Sequence, residues 1–498
     1  MMASIHLSQF PNPIQHTVRL FQEGGEAAWL VGGATRDLLL GREVKDWDFV
    51  IGSDGLSWAR RIANELGGAF VALDEEREVG RAVVRHEGKT LWIDVARFRD
   101  EANQGRGSSL EEDLRLRDFT VNAIALDPLT GDVIDPTGGV ADVEVRRLRA
   151  AGPRSFLDDP LRILRAARLQ ATRGLVIEEE TRELMHAAAP LLVQVAVERV
   201  REEWLKLLAP PGAMERVSLL DELGVVDVLL PELARCKGVT QSLPHSHDVY
   251  GHSLLVLEAM EQLWPWLEEE TFWQGELAAH AAAMTEHLRQ ELAHEMPRWL
   301  LLKHVALLHD VGKPATRTVG DDGRIHFYKH DLVGAKIIEE QMRRWKFPTR
   351  AVEYGERVVF QHLRPLQLSN NLPPSDRAVY RYFRNTGDDG PDVALHSVAD
   401  QRGKAFASDR SEVLAVVVRL LEAYFEQPER YVRPTPLLDG HEIMKISELR
   451  GPAVGEALEL LREQQAQGRV RTQSEAEALI RSFKPGSTRS KRKGGKRR

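Results

Sequence analysis

Residues 29–51, WLVGGATRDLLLGREVKDWDFVI, constrain the fold more than any other stretch of this chain. The stretch predicts a strand, a glycine turn, a short helix and a second strand carrying Asp46 and Asp48. Side chains at i and i+2 of a strand share a face. Two carboxylates held that way suit a hard divalent cation such as Mg²⁺. Gly32 and Gly33 leave room for backbone to approach phosphates, and Arg36 follows on the helix. Each piece alone is commonplace: Gly-Gly is often a turn, and D-x-D a solvated strand end. Together, in this order, they are the parts needed for metal-assisted phosphoryl transfer from a nucleotide.

At 498 residues the chain is too long for one core, and about three domains are expected. No apolar run reaches the roughly 18 residues of a membrane-spanning helix. The beginning, MMASIHLSQFPNPIQ, lacks the basic-then-apolar layout of a signal peptide. A single cysteine, Cys236, excludes an internal disulfide framework and a cysteine-rich zinc module. It fits a reducing cytoplasm. The net charge of −8 does not suggest a nucleic-acid partner, but its distribution does. From Lys484 onward the chain has eight Lys or Arg and no acid, and residues 144–173 hold eight arginines against three acids. Basic regions in an acidic protein point to a polyanion. The tail reads equally well as a solubilising end.

In chain order, residues 14–23 predict an amphipathic helix and 56–66 another, with FVALDEE, RAVVRH and TLWIDVARF as strands. Asp94 lies on the last, with Ile93 and Val95 facing the other way, so it could join Asp46 and Asp48 or be an edge-strand acid. In EEDLRLRDFTVNAIA, Arg117 and Asp118 are adjacent; they suggest an ion pair, with Arg117 also a candidate triphosphate ligand. In SFLDDPLRILRAARLQ, Asp159 before Pro160 predicts a helix N-cap with proline at the first helical position. Arg162, Arg165 and Arg168 recur every third residue, forming a slanted basic ridge suited to phosphates or to solvent. Beyond about residue 150 the chain reads as helical.

The pieces LVGGATRDLLLG, KDWDFVI, SLEEDLRLRDFTVNAIA, VIDPTGGVADV and DDPLRILRAARL resemble, in order, the class II tRNA nucleotidyltransferase and bacterial poly(A) polymerase family. The resemblance implies an α+β fold. A polymerase-β-like mixed-sheet head (1–148) would precede a helical neck (149–215), an HD domain (216–430), a small helical tRNA-facing domain (431–484) and a basic tail (485–498). It also implies Mg²⁺ on Asp46 and Asp48, with Asp94 as the third carboxylate. Gly32, Gly33, Arg36 and Arg117 would hold the triphosphate. Asp159 and Arg162 would read the base, with Arg165 and Arg168 assisting. A carboxylate can accept from an exocyclic amine while a guanidinium donates to the adjacent ring acceptor. Cytosine and adenine show that pattern; guanine and uracil do not. Two departures stand out. Leu116-Arg117 replaces the family's paired arginines, and the loop at residues 99–109 is short, which resembles enzymes adding only the two cytidines.

In the second half, His252 opens an apolar helix, and His309-Asp310 ends another in VALLHDVGKP. His326, His330, His362 and Asp400 follow. The series resembles an HD metal-dependent phosphohydrolase. The resemblance implies His252, His309, Asp310 and Asp400 as ligands of a divalent transition metal or Mg²⁺. His330 and His362 would serve a second metal or the phosphate. An insertion at about 264–297 carries no obvious chemistry.

These readings lead to a tRNA nucleotidyltransferase that adds CCA, or only CC, to tRNA 3′ ends from CTP and ATP. The alternatives are a poly(A) polymerase, or an HD phosphohydrolase whose front domain only binds RNA. The sequence indicates no membrane partner and leaves the oligomeric state open.

Overall fold

The protein is described from a computed structural model covering residues 5–99, 109–268, 278–404 and 411–485. The short loop after Arg99, part of the insertion and nearly all of the basic tail lie outside the described residues. The chain divides into two compact units, Met1–Pro210 with Ser218–Leu229, and Pro211–Val217 with Leu230–Arg498. No helix among the described residues is long and apolar enough to cross a membrane.

The first unit opens with α1 (Asn12–Glu23), β1 (Ala28–Leu30), α2 (Gly32–Leu39), β2 (Asp46–Ile51) and α3 (Gly55–Glu65). Then come β3 (Ala69–Asp74), β4 (Val79–His86), β5 (Lys89–Arg97), α4 (Leu110–Arg115), β6 (Ala125–Leu126) and β7 (Val133–Ile134). These strands form one seven-stranded sheet in the order β3-β4-β5-β2-β1-β6-β7. The sheet is mixed: β2 and β5 run parallel, while the other neighbours are antiparallel. Asp54 caps α3, its carboxylate accepting the Leu56 N–H at 2.9 Å, and Ser109 caps α4 through the Glu112 N–H at 3.3 Å.

Alternation along β2 decides what each face does. Trp47, Phe49 and Ile51 enter a core with Ile14, Val18 and Phe21 of α1 and Ile62 of α3. Ile93 and Val95 of β5 join the same core. The opposite face carries Asp46, Asp48 and Val50, and Val50 packs into a second core with Leu110 and Leu114 of α4. Slipping the register by one residue would bury both aspartates in the larger core, so its apolar packing fixes where the carboxylates point.

The unit continues with α5 (Gly139–Glu144), β8 (Arg147–Leu148), α6 (Ser155–Asp158), α7 (Arg162–Arg173), β9 (Val176–Ile177), α8 (Glu179–Ala188) and α9 (Val197–Leu208). Helix α7 buries Ile163, Leu164, Ala166, Ala167 and Leu169 and ends where Gly174 takes the left-handed conformation at φ +66°. It starts at Arg162 rather than at Pro160. The Asp159 carboxylate accepts the Leu161 N–H at 3.3 Å in the preceding turn instead of capping the helix directly.

The second unit is largely helical. Two of its helices, Arg298–Leu308 and Gly390–Arg402, are buried along most of their length. Such all-round burial explains why neither shows an amphipathic pattern in sequence. A separate core near the C-terminal end gathers Leu438, Ile443, Leu461 and Ile480 among others. Its helix Pro452–Ala466 is tied to Asp376–Thr386 through Arg384 and Glu459 at 2.9 Å.

Candidate active site

Asp48 and Asp94 stand opposite each other in the parallel β2–β5 register, and Asp46 lies two residues earlier on the same face. Asp46 is exposed at the strand end, whereas Asp48 is half-buried. Burial, reinforced by the neighbouring Asp94 charge, pushes the Asp48 carboxyl up to about 7. Partial desolvation of the Asp46 carboxyl, with the Asp94 charge beside it, raises Asp46 as well. Carboxylates crowded this way disfavour their own charge, and a divalent cation would stabilise the set. The residues therefore fit the expected Mg²⁺. Arg81 on β4 takes both Asp94 oxygens, Nε to Oδ1 at 2.7 Å and Nη2 to Oδ2 at 2.8 Å.

The glycines of the first stretch are where the backbone comes closest to these groups. Gly32 has φ +66°, and an added Cβ would lie 3.1 Å from Arg117 Nη1 and 3.2 Å from Asp48 Oδ2. Only glycine accommodates both the backbone and the approach there.

The expected basic residues divide into those lining open space and those held by the fold. Two clefts meet at the carboxylates. One, of about 420 Å³, is lined by Gly32, Gly33, Arg117, Asp159 and Arg162 besides Asp48 and Asp94. The other, of about 510 Å³, adds Arg36, Lys45 and Arg168, and Arg165 lines both. Arg36 is 4% exposed; its Nε donates to Asp37 at 2.9 Å and its Nη1 to Asn122 at 2.6 Å. Its charge thus sits in a local network more than in solvent. Arg168 pairs with Glu203 of α9 at 2.5 Å.

The adjacent Arg117 and Asp118 do not pair with each other. Arg117 pairs with Asp113 at 2.9 Å, one helical turn earlier, and Asp118 pairs with Arg165 at 3.0 Å. Burial alone would raise the Asp118 carboxyl, but Arg165, the Asn122 amide and Arg162 hold it below the usual range. Nor do the side chains of Asp159 and Arg162 pair, although the Arg162 N–H donates to the Asp159 carbonyl at 3.1 Å. Asp159 pairs with Arg199 at 2.7 Å. Arg162 donates to the carbonyls of Leu116, Arg117 and Ser155 at 3.1–3.3 Å. Both nonetheless line the same cleft.

The second unit assembles a separate centre. His252, His309 and Asp400 bring ligand atoms within 4.8 Å of one another, and so do Asp310, His330 and His362. Asp310 stands between the two sets. Its Oδ2 lies 3.0 Å from His309 Nε2 and 3.6 Å from His252 Nε2, and its Oδ1 lies 3.4 Å from His330 Nε2. The Nδ1 atoms of His309, His330 and His362 lie 2.6–2.8 Å from the carbonyls of Ala306, Phe327 and Val359. Donation to those carbonyls leaves each Nε2 facing the centre with its lone pair. His309 Nε2 and both Asp310 oxygens are buried and meet only one another and neighbouring cationic or imidazole nitrogens, in contacts without good hydrogen-bond geometry, which fits a cation in the centre. His326 lines the adjoining cavity of about 280 Å³ and stacks on Tyr328.

Several residues of these sites escape inspection of the sequence. Lys313, one turn after Asp310, approaches its Oδ2 at 2.6 Å, and Lys404, one turn after Asp400, approaches Asp400 at 2.9 Å. Helical i,i+3 and i,i+4 spacing could have flagged both. His396, also one turn from Asp400, is fully buried, and neither ring nitrogen has a hydrogen-bond partner. Arg81 faces Asp94 as its register partner in the β4–β5 hairpin, which the tight Glu87-Gly88 turn could have flagged, whereas Arg199 meets Asp159 only through tertiary contact.

Residues 28–149 match the family described as Poly A polymerase head domain. Residues 174–237 match "Probable RNA and SrmB- binding site of polymerase A", and 249–382 match the HD domain. A solved CCA-adding enzyme in complex with ATP shares the fold, with a TM-score of 0.63 and 20% identity, covering 95% of this chain and 96% of that one. The CC-adding tRNA nucleotidyltransferase of Thermus thermophilus is 33% identical, covering 92% of this chain and 94% of that protein. The A-adding tRNA nucleotidyltransferase of Deinococcus radiodurans is 34% identical over 470 residues, which is 92% of this chain and 95% of that protein. With this identity over nearly the full length of both proteins, the chain belongs to the tRNA nucleotidyltransferase family.

Proposed function

We propose that the chain extends tRNA 3′ ends without a template and that its share of the CCA terminus is the two cytidines. The observation that carries the transferase reading is the meeting of Asp46, Asp48 and Asp94 with the Asp159–Arg162 side of the cleft. The incoming triphosphate would lie along Gly32, Gly33 and Arg117. Its base would meet Asp159 and Arg162, which present an acceptor and donors on one wall. The 3′-hydroxyl oxygen bonds to the α-phosphorus, the α–β phosphoanhydride bond breaks, pyrophosphate leaves with the electron pair, and the hydroxyl proton passes to water. Mg²⁺ held by Asp46 and Asp48 would supply charge neutralisation at the reacting phosphate. The carbonyl contacts of Arg162 support a reader of fixed position.

The short segment between Arg99 and Ser109 and the CC-adding relative support addition of CC. The A-adding relative favours a second reading, addition of the final adenosine. The experiment supplies tRNA transcripts lacking CCA, or ending in CC, with CTP alone, ATP alone or both, and sequences the products. CC ends that go no further support the first reading. Extension only of transcripts ending in CC, with ATP, supports the second. Long A tracts would overturn both.

The HD centre supports a second activity, metal-dependent hydrolysis of phosphate esters, with a divalent transition metal or Mg²⁺ on His252, His309, Asp310 and Asp400. His330 and His362 would attend a second metal or the phosphate. Metal-dependent phosphate release that is lost in a His309→Ala/Asp310→Ala variant, with RNA extension retained, is the expected result. The lone buried cysteine, Cys236, supports a reducing cytoplasmic setting.

A further inference from the structure

The second unit buries eight histidines among its described residues, and four of them, His252, His309, His330 and His362, belong to the two ligand sets. Three of the others have partners. His287 Nε2 lies 2.6 Å from an Asp392 oxygen, His304 Nε2 3.0 Å from the Gln341 amide oxygen, and His280 Nε2 3.7 Å from a Glu426 oxygen. His396 is the exception. It is wholly buried on the helix Gly390–Arg402, and neither ring nitrogen finds a hydrogen-bond partner. Burial without a partner is costly for a polar ring, so an imidazole in this condition points to a partner that no protein group supplies.

The surroundings of His396 identify that partner. Its ring centroid lies 4.9 Å from that of His309 and 6.0 Å from that of His362, one imidazole from each ligand set. Rings within the sets are spaced alike, His252 and His309 at 5.4 Å and His330 and His362 at 5.2 Å. Asp400 follows four residues later, so both side chains leave one face of one helix. His396 therefore adjoins His309 and Asp400, two of the three groups of the first set. The Nδ1 atoms of His309, His330 and His362 are taken by backbone carbonyls, which leaves only Nε2 for an ion. No carbonyl holds either nitrogen of His396, so its tautomer is free to present a lone pair from whichever nitrogen an ion approaches.

We infer that His396 is a further ligand of the cation held by His252, His309 and Asp400. The inference rests on the metal reading of the HD centre and adds to it a residue that belongs to neither set. It gives that cation a third imidazole, a donor set that suits a divalent transition ion over Mg²⁺.

The test compares His396 with His396→Leu, which fills similar space with no polar atom. Both full-length proteins carry Asp46→Asn and Asp48→Asn, which silence the carboxylates of the first unit. Co²⁺ is the probe, because its visible bands report the donors around it. The leucine variant is expected to bind Co²⁺ about tenfold or more weakly by calorimetry, with the visible band of the bound ion displaced. Mg²⁺ affinity, read by competition with Co²⁺, owes little to imidazole and should stay within about twofold. Without metal, the leucine variant should unfold at the same temperature as its parent or higher, because two unsatisfied polar atoms are gone; with Co²⁺ the order should reverse. An unshifted band in the variant, whatever its affinity, overturns the assignment and leaves His396 a packed core residue. Co²⁺ and Mg²⁺ affinities that fall together also overturn it, because the substitution would then have disturbed the whole centre. If the leucine variant does not fold, His396→Gln takes its place under the same criteria. A parent protein that takes up neither ion sinks the metal reading of the HD centre, and this inference with it.

Discussion

Arg81 grips Asp94 with both arms of its guanidinium, 2.7 and 2.8 Å from the two carboxylate oxygens, on the face where Asp94 stands opposite Asp48. The grip orients Asp94 and offsets part of the negative charge that raises Asp48. Replacing Arg81 by methionine keeps the stem and removes the fork. The expected result is a loss of about 10- to 100-fold in kcat, or a comparable rise in the Mg²⁺ concentration giving half-maximal rate. Nucleotide binding in the absence of Mg²⁺ should hold steady. Equal kcat and Mg²⁺ dependence in R81M and wild type would remove Arg81 from the site.

Asp48→Asn preserves shape and removes the charge. Metal-assisted charge stabilisation contributes several kcal/mol to a transition state. Transfer should therefore fall by about 10³-fold or more, with RNA binding retained in a gel-shift assay. Wild-type incorporation of label by the variant would rule out the carboxylate mechanism.

Asp159 is tested by selectivity rather than rate. Its carboxylate would accept from the amine of cytosine or adenine, a group that uracil and guanine lack at the corresponding position. Asp159→Ala should narrow the kcat/KM preference for CTP over UTP by about 10- to 100-fold, the scale of a charge-assisted hydrogen bond. Because Asp159 also pairs with Arg199, Arg199→Ala is the companion measurement. A preference that falls in R199A as far as in D159A would identify the ion pair, and not the carboxylate alone, as the reader.

Asp118 is a stability prediction. It is buried, receives Arg165 at 3.0 Å and Asn122 at 2.9 Å, and its carboxyl is held below the ordinary value. A carboxyl depressed in the folded state stabilises at pH above its unfolded value. That contribution is lost as pH falls through the folded one. Asp118→Asn should cost about 2 kcal/mol at pH 7 and progressively less in acid, measured by urea unfolding. A cost independent of pH would show that packing, not charge, is what the residue supplies.

The HD centre is tested by metal binding. Calorimetry with Mn²⁺ or Ni²⁺ should show high-affinity uptake by wild type, a loss of about 10-fold or more in His309→Ala, and unchanged RNA extension in the same variant. Undiminished uptake by His309→Ala would place the metal elsewhere.

The head was readable in sequence because its signals are local. Strand alternation places Asp46 and Asp48 on one face, and the glycine turn sits next to them. Pairing between distant segments was hidden. Arg117 and Asp118 are neighbours in the chain, yet each finds a different partner, because the turn after α4 sends their side chains apart. Asp389 receives Arg298 at 2.9 Å from one helix, and Arg350 at 2.7 Å and Arg357 from another, pairings across 32 to 91 residues that local spacing does not reveal. Helices buried on every side, such as Arg298–Leu308, carry no amphipathic stripe, so sequence gave their helicity without their neighbours. The HD histidines could be found individually. Their division into two sets on either side of Asp310 depends on how four helix ends converge.

The turn after α2 is strapped to the last turn of α7. Arg42 holds the carbonyls of Thr172 and Arg173, while Asp37 holds the Arg173 guanidinium with both oxygens. Arg42, Asp37 and Arg173 all line the cleft that adjoins the carboxylates on the side away from Asp159 and Arg162. Four hydrogen bonds therefore lock the loop leading into the strand of Asp46 and Asp48 to the helix that carries the basic ridge. The distance between metal-binding strand and basic helix is set by residues that belong neither to the carboxylate set nor to that ridge, and loosening the straps would change the geometry of transfer without altering any group that takes part in it.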